Sequence, residues 1–99
     1  MIGDTLKRIR SIYGFKASEL SQMLGISPGY LSEIENNKKQ PSLEILQKCA
    51  DIYEIKLSSL ILLSETYDEA VAQGKGAVLV RSMMLNLIDK LSSRSEDIE

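Results

Sequence analysis

The sequence has no histidine at all. That removes the commonest general base and the commonest metal-binding side chain. A single cysteine, Cys49, cannot close an internal disulfide, and with no histidine to join it a zinc site is all but excluded. Neither GxxxxGK[ST] nor GxGxxG occurs, and the one Gly-Lys-Gly run, at 74–76, follows no strand pattern and reads as a hinge. Long apolar runs are missing too. No window of about 18 apolar residues offers a membrane span, and the opening MIGDTLKRIR lacks the apolar stretch of a signal peptide. No catalytic residue, metal or cofactor is therefore expected, and no membrane partner. One thiol on the apolar face of a helix suits a reducing cytosol and reads as a core residue.

Charge of either sign is not in large excess: 12 bases against 14 acids give a net charge of −2. The two parts of the chain differ, however. Residues 1–41 carry six bases and four acids, whereas 42–99 carry six bases and ten acids. The 99 residues suffice for one small core.

What is present is concentrated in 16–37, KASELSQMLGISPGYLSEIENN. Leu20, Met23 and Leu24 share one face of a first short helix, about 17–24. Tyr30, Leu31 and Ile34 repeat at helical spacing in a second, about 28–36. Gly25 stands where the first helix must reverse, a position suited to positive φ. Ser27 supplies an N-cap oxygen and Pro28 fits the first helical position. Ser21 is small where the two helices would cross. Two short helices joined by a Gly-containing turn are the plan of the helix-turn-helix, whose second helix enters the DNA major groove.

The run SELSQMLGISPGYLSEIENNKKQPSLEILQKCADIY resembles the lambda-repressor-like (Cro/cI-type, XRE) helix-turn-helix family over about residues 3–62. The elements that carry the likeness are Glu19-Leu20, Gly25-Ile26-Ser27, Leu31-Ser32-x-x-Glu35 and Pro41-Ser42-Leu43. Where the family often has a glycine after helix 3, this chain has Asn37, which also tolerates a left-handed helix end. The resemblance implies an all-α, five-helix DNA-binding domain. It further implies that Arg10 and Glu35 pair, bidentate and partly buried, as a structural strut. Family members often present an amide near the start of helix 2 to a phosphate; Ala17 cannot do this, and Lys16 and Ser18 are the substitutes. By the same likeness the start of helix 3 faces the bases, so Ser27, Pro28, Gly29, Ser32 and Glu33 point toward DNA. Glu33 can accept from cytosine N4 and Ser32 can bond several bases, but no Arg or Lys occupies a reading position. Glu33 could equally be a solvated surface acid. Tyr30 has two readings, with its ring packed inward or its hydroxyl reaching DNA. Asn36, Lys38 and Lys39 follow the helix where the family grips the phosphate backbone.

Around this centre, helix 1 is expected over 3–13 with Leu6, Ile9 and Tyr13 inward. Helix 4 should run from the Ser42 cap to about Tyr53 on Leu43, Leu46, Cys49, Ala50 and Tyr53. Helix 5 should start at a Ser58 cap and carry Leu60, Ile61 and Leu63. A domain at 1–63 is then followed by an extension, 64–99. It has a possible short helix around Tyr67, Ala70 and Val71, and a second at about 76–92. There Val80, Met84, Leu87, Ile88 and Leu91 lie on an apolar face wider than a terminal helix needs. That face reads as a dimerisation surface, or alternatively as a sixth helix folded onto its own core.

These features point to a cytoplasmic, nucleoid-associated transcriptional regulator of the phage-repressor or controller type. It would bind an inverted-repeat operator on double-stranded DNA as a homodimer. The rivals are an antitoxin using the acidic 64–99 region against a toxin protein, and an interaction module that uses the helix-turn-helix only as a scaffold.

Overall fold

The computed structural model describes residues 2–82, 84–86 and 89. Five helices follow one another: α1 Ile2–Tyr13, α2 Ala17–Leu24, α3 Pro28–Glu35, α4 Leu43–Ile52 and α5 Leu57–Ala72. Helical residues resume over 76–82 and 84–86. No strand occurs among the described residues. One cluster built from Leu6, Ile9, Leu20, Leu24, Leu31, Ile34, Ile45, Leu46, Cys49, Ala50, Tyr53 and Leu60 joins all five helices.

Helices α1 and α3 approach each other closely. Gly3 is buried there, and a Cβ on it would strike the Ile34 carbonyl oxygen and the Asn37 side chain. Asn37, at φ 60°, ties the two helices together. Its Oδ1 accepts from the Gly3 N–H at 3.1 Å, and its Nδ2 donates to Asp4 Oδ1 at 3.0 Å. A free N–H in the first turn of α1 is thus capped by a residue 34 positions away.

Below this seam the Tyr13, Phe15 and Tyr53 rings cluster, with Tyr13 and Tyr53 4.7 Å apart between centroids. The Tyr13 hydroxyl donates to the Tyr53 carbonyl at 2.8 Å, closing the end of α4. The Tyr53 hydroxyl itself is buried with no hydrogen-bond partner among the described residues, and burial raises its pKa well above the ordinary phenol value. Burial also pushes the Cys49 thiol up to about 11, with the nearby Glu35 carboxylate adding to the rise.

Several sequence expectations need correction. Leu43 falls on the inner side of α4 by periodicity, yet it is 71 % exposed, and Ile45 is buried instead. Met23 is 49 % exposed beside the buried Leu20 and Leu24. Periodicity fixes a direction around the helix axis, not whether a neighbouring helix reaches that point. Helix α5 begins two residues earlier than a Ser58 cap implies, with Lys56 at the N-cap position and no side-chain cap bond. It also absorbs the short helix expected around Tyr67, because no Gly or Pro interrupts 57–72; it runs unbroken through 63 and 64. Its buried positions are Leu60, Ser64 and Tyr67, while Ile61 turns outward. Tyr67 reaches back to α1, where its hydroxyl accepts from Arg8 Nε at 3.2 Å.

Candidate nucleic-acid interface

The site is assembled from the turn outward. At the start of α2 the Lys16 N–H donates to Glu19 Oε1 at 2.9 Å. This is one half of a capping box; an ammonium group cannot accept the reciprocal bond. Gly25 ends α2 at φ 72°, and the Ile26 N–H closes back on the Ser21 carbonyl at 3.0 Å. That left-handed residue turns the chain within two positions into the next cap. Ser27 Oγ then accepts from the Tyr30 N–H at 3.1 Å and Pro28 opens α3.

Helix α3 has a buried side and a bare side. Leu31, Ile34 and Glu35 are buried. Glu35 has only 4 % of its side chain exposed and lies against Arg10. Arg10 Nε donates to Oε2 at 2.8 Å and Nη2 to Oε1 at 3.1 Å, while Nη1 donates to the Phe15 carbonyl at 2.9 Å. The Glu35 hydrogen bonds hold the guanidinium pKa above its ordinary value. One residue of α1 therefore fixes both the end of α3 and the loop entering α2.

On the other side Ser27, Pro28, Gly29 and Ser32 are exposed, and Glu33 is half-exposed. Tyr30 is half-buried with its ring against the core cluster. Asn36 lies next to Ser32, donating to its carbonyl at 2.8 Å and its hydroxyl at 3.2 Å. After the left-handed Asn37 the chain doubles back. The N–H groups of Lys38 and Lys39 both donate to the Glu33 carbonyl, at 2.8 and 3.2 Å. The two lysine side chains then differ. Lys39 Nζ lies 3.7 Å from Glu33 Oε2 and 5.9 Å from the Tyr30 ring centroid. Lys38 makes no ion pair among the described residues and is exposed. Lys16 and Ser18, also exposed, sit at the start of α2. The described residues hold no cluster of acidic, cysteine or histidine side chains that could bind a metal. The surface can recognise a shape and offer hydrogen bonds; it presents no nucleophile poised by a base.

A family model described as helix-turn-helix matches residues 6–67. The chain belongs to the helix-turn-helix family. Its fold is the lambda-repressor-like one, and the family is that of XRE-type DNA-binding transcriptional regulators. The chain is 30 % identical over 96 residues to the HTH-type transcriptional regulator SinR of Bacillus subtilis, covering 95 % of this chain and 86 % of that protein. The crystal structure of the biofilm master regulator SinR in complex with DNA matches with a TM-score of 0.56 and 34 % identity, over 62 % of this chain and 98 % of that one. The clp gene regulator ClgR of Corynebacterium glutamicum gives a TM-score of 0.59 at 25 % identity, over 92 % of this chain and 88 % of that one.

Two residues of this helix-turn-helix regulator have roles the sequence did not disclose. Asn37 reads as a helix end, but it also holds α1; no local signal marks a bond to Gly3. Lys39 reads as part of a basic loop, but it lies along the reading helix; the one local signal is Asn37, a residue that tolerates the left-handed conformation a reversal needs. Of the residues expected at the C-terminal face, Val80 and Met84 line a groove of about 350 Å³ with Arg8 and Tyr67. Leu87, Ile88 and Leu91 lie outside the described residues.

Proposed function

We propose that this regulator binds a specific operator sequence as a homodimer, each protomer laying α3 in the major groove. The observation that carries this reading is the two-sidedness of α3. Its inner side is locked by Leu31, Ile34 and the Arg10–Glu35 pair, while its outer side shows small exposed residues to solvent. A short helix held this rigidly, with Pro28 and Gly29 at its leading end, can bring its backbone close to base edges without a steric barrier. Ser27, Ser32, Glu33 and Tyr30 are the base-facing set; Lys16, Ser18, Asn36, Lys38 and Lys39 supply the surrounding polar and cationic contacts. The relative SinR has been crystallised in complex with DNA, which supports DNA as the ligand here.

Two-fold symmetry in the protein requires two-fold symmetry in the site, with half-sites about 34–36 Å apart. The exposed apolar side chains Val78 and Leu85 on the C-terminal helical segment support pairing there, while Val80 and Met84 border a groove shared with Arg8 and Tyr67 of the same chain. The protein then acts in the cytoplasm on the nucleoid as a repressor-type or controller-type regulator. Selection of bound sites from random duplex DNA tests this directly: an inverted repeat is the expected result, and no enriched sequence at low salt overturns it. Deleting residues 76–99 should convert a dimer to a monomer in sedimentation; a persistent dimer would place the interface elsewhere.

A further inference from the structure

The outer side of α3 carries no arginine or lysine of its own, so it lacks the donor most often used to read guanine. The fold brings one in from outside the helix. Asn37 takes φ 60°, the chain reverses, and the Lys38 and Lys39 N–H groups fasten it onto the Glu33 carbonyl. Lys39 then runs back along the exposed side of α3. Its ammonium stops 3.7 Å from Glu33 Oε2 and 5.9 Å from the centre of the Tyr30 ring. Tyr30 and Glu33 are three apart on the helix, so they form one patch, and Lys39 lies across both.

We infer that Glu33 and Lys39 act together as a reader of a single C·G base pair. This rests on the proposal that α3 enters the major groove. In that groove cytosine shows an N4 donor, and its partner guanine shows the O6 and N7 acceptors. A carboxylate and an ammonium side by side present the complementary pattern: Glu33 accepts from cytosine N4 and Lys39 donates to guanine N7, with O6 beside it. The reverse pair, G·C, would place donor against donor and acceptor against acceptor. T·A would set the carboxylate against thymine O4 and the ammonium against the adenine amino group. A·T, which repeats the donor and acceptor of C·G at its centre, puts the thymine methyl where the ammonium meets guanine N7.

The pairing also answers an electrostatic objection to Glu33. A lone carboxylate entering the field of a duplex meets two strands of phosphate charge. With an ammonium beside it the patch is close to neutral, and the acceptor can approach. Both side chains are largely open to solvent, 58 % for Lys39 and 44 % for Glu33, so the pair contributes little to folding. Its selective value lies in recognition. Lys38, unpaired among the described residues, has the different task of holding phosphate.

The experiment compares wild type, Lys39→Met, Glu33→Gln, the double variant and Lys38→Met. Each is used to select sites from random duplex DNA, and each is titrated with salt on the wild-type site. Thermal melts serve as the folding control and should coincide. The expected result is a C·G preference at one position of the wild-type half-site, weakened about tenfold or more in Lys39→Met and in Glu33→Gln. The double variant should be no worse than either single one. Lys38→Met should keep the base preference and flatten the salt slope by about one unit. An unchanged base profile in Lys39→Met, with a slope loss equal to that of Lys38→Met, overturns the inference while leaving major-groove binding in place. Additive losses in the double variant overturn the joint reading as well. A wild-type chain that enriches no sequence overturns the groove-binding proposal and this inference with it.

Discussion

The two sides of α3 are made from adjacent residues and obey opposite rules. Leu31, Ile34 and Glu35 face inward and are fixed by packing and by the bidentate bond to Arg10. Ser32 and Glu33, between them in sequence, face outward, where the Ser32 hydroxyl meets Asn36 and the Glu33 carboxylate meets Lys39. The first set stores the stability of the domain in the position of one helix; the second leaves that stability untouched and is free to carry recognition. Changes on the inner side should therefore unfold the protein, whereas changes on the outer side should alter binding in a protein that melts normally.

The largest expected effect is at Arg10. Replacing it with Ala leaves the buried Glu35 carboxylate without its partner, which should cost about 3–5 kcal/mol and lower the denaturation midpoint sharply. If Arg10→Ala melts like wild type, the inner side is not the anchor described here.

The next effect comes from pH. The Cys49 thiol has a folded-state pKa raised to about 11, chiefly by burial. Its neutral form is thus favoured by the fold. Stability from this source is complete below the ordinary thiol pKa and is lost as pH rises from about 9 to about 11, by up to about 2–3 kcal/mol. The buried Tyr53 phenol, also raised, extends the loss to still higher pH. Urea midpoints measured across pH 8–11 should fall. Cys49→Ala, although less stable throughout, should show a flatter start to that decline. A curve of identical shape for the variant would detach the pH response from Cys49.

Gly3→Ala probes the seam between α1 and α3. A Cβ there meets the Ile34 carbonyl and the Asn37 amide, so the helices must separate, at a cost of about 1–3 kcal/mol. Because that seam also positions Asn37, the variant should bind DNA less well than its stability alone explains. The smallest effect on folding is at Ser32. Ser32→Ala should move the melt by less than about 0.5 kcal/mol, yet it should change operator affinity. A destabilised Ser32→Ala with unchanged binding would erase the contrast between the two sides.

Much of this molecule was legible in its residues. Gly25, Ser27 and Pro28 placed the turn because each meets a backbone requirement at its own position: positive φ, a cap oxygen, a missing N–H. The cores of α1, α3 and most of α4 followed from helical spacing. Leu43 and Met23 did not, because spacing cannot report where a helix outruns its neighbours. The extent of α5 is not visible in its apolar spacing, which thins after Leu63, although no Gly or Pro breaks the helix before Ala72.

The sequence by itself determined the helix-turn-helix and the identity of the side chains on offer, since caps, turns and periodicity are local properties of the chain. Only the tertiary structure decided which of those side chains meet. Asn37 reaches Gly3 across 34 positions, and Lys39 reaches the patch of Glu33 and Tyr30, because the backbone reverses at a left-handed residue and α1 crosses α3 at one glycine. Such meetings depend on the relative placement of whole helices, which packing sets and no local pattern encodes.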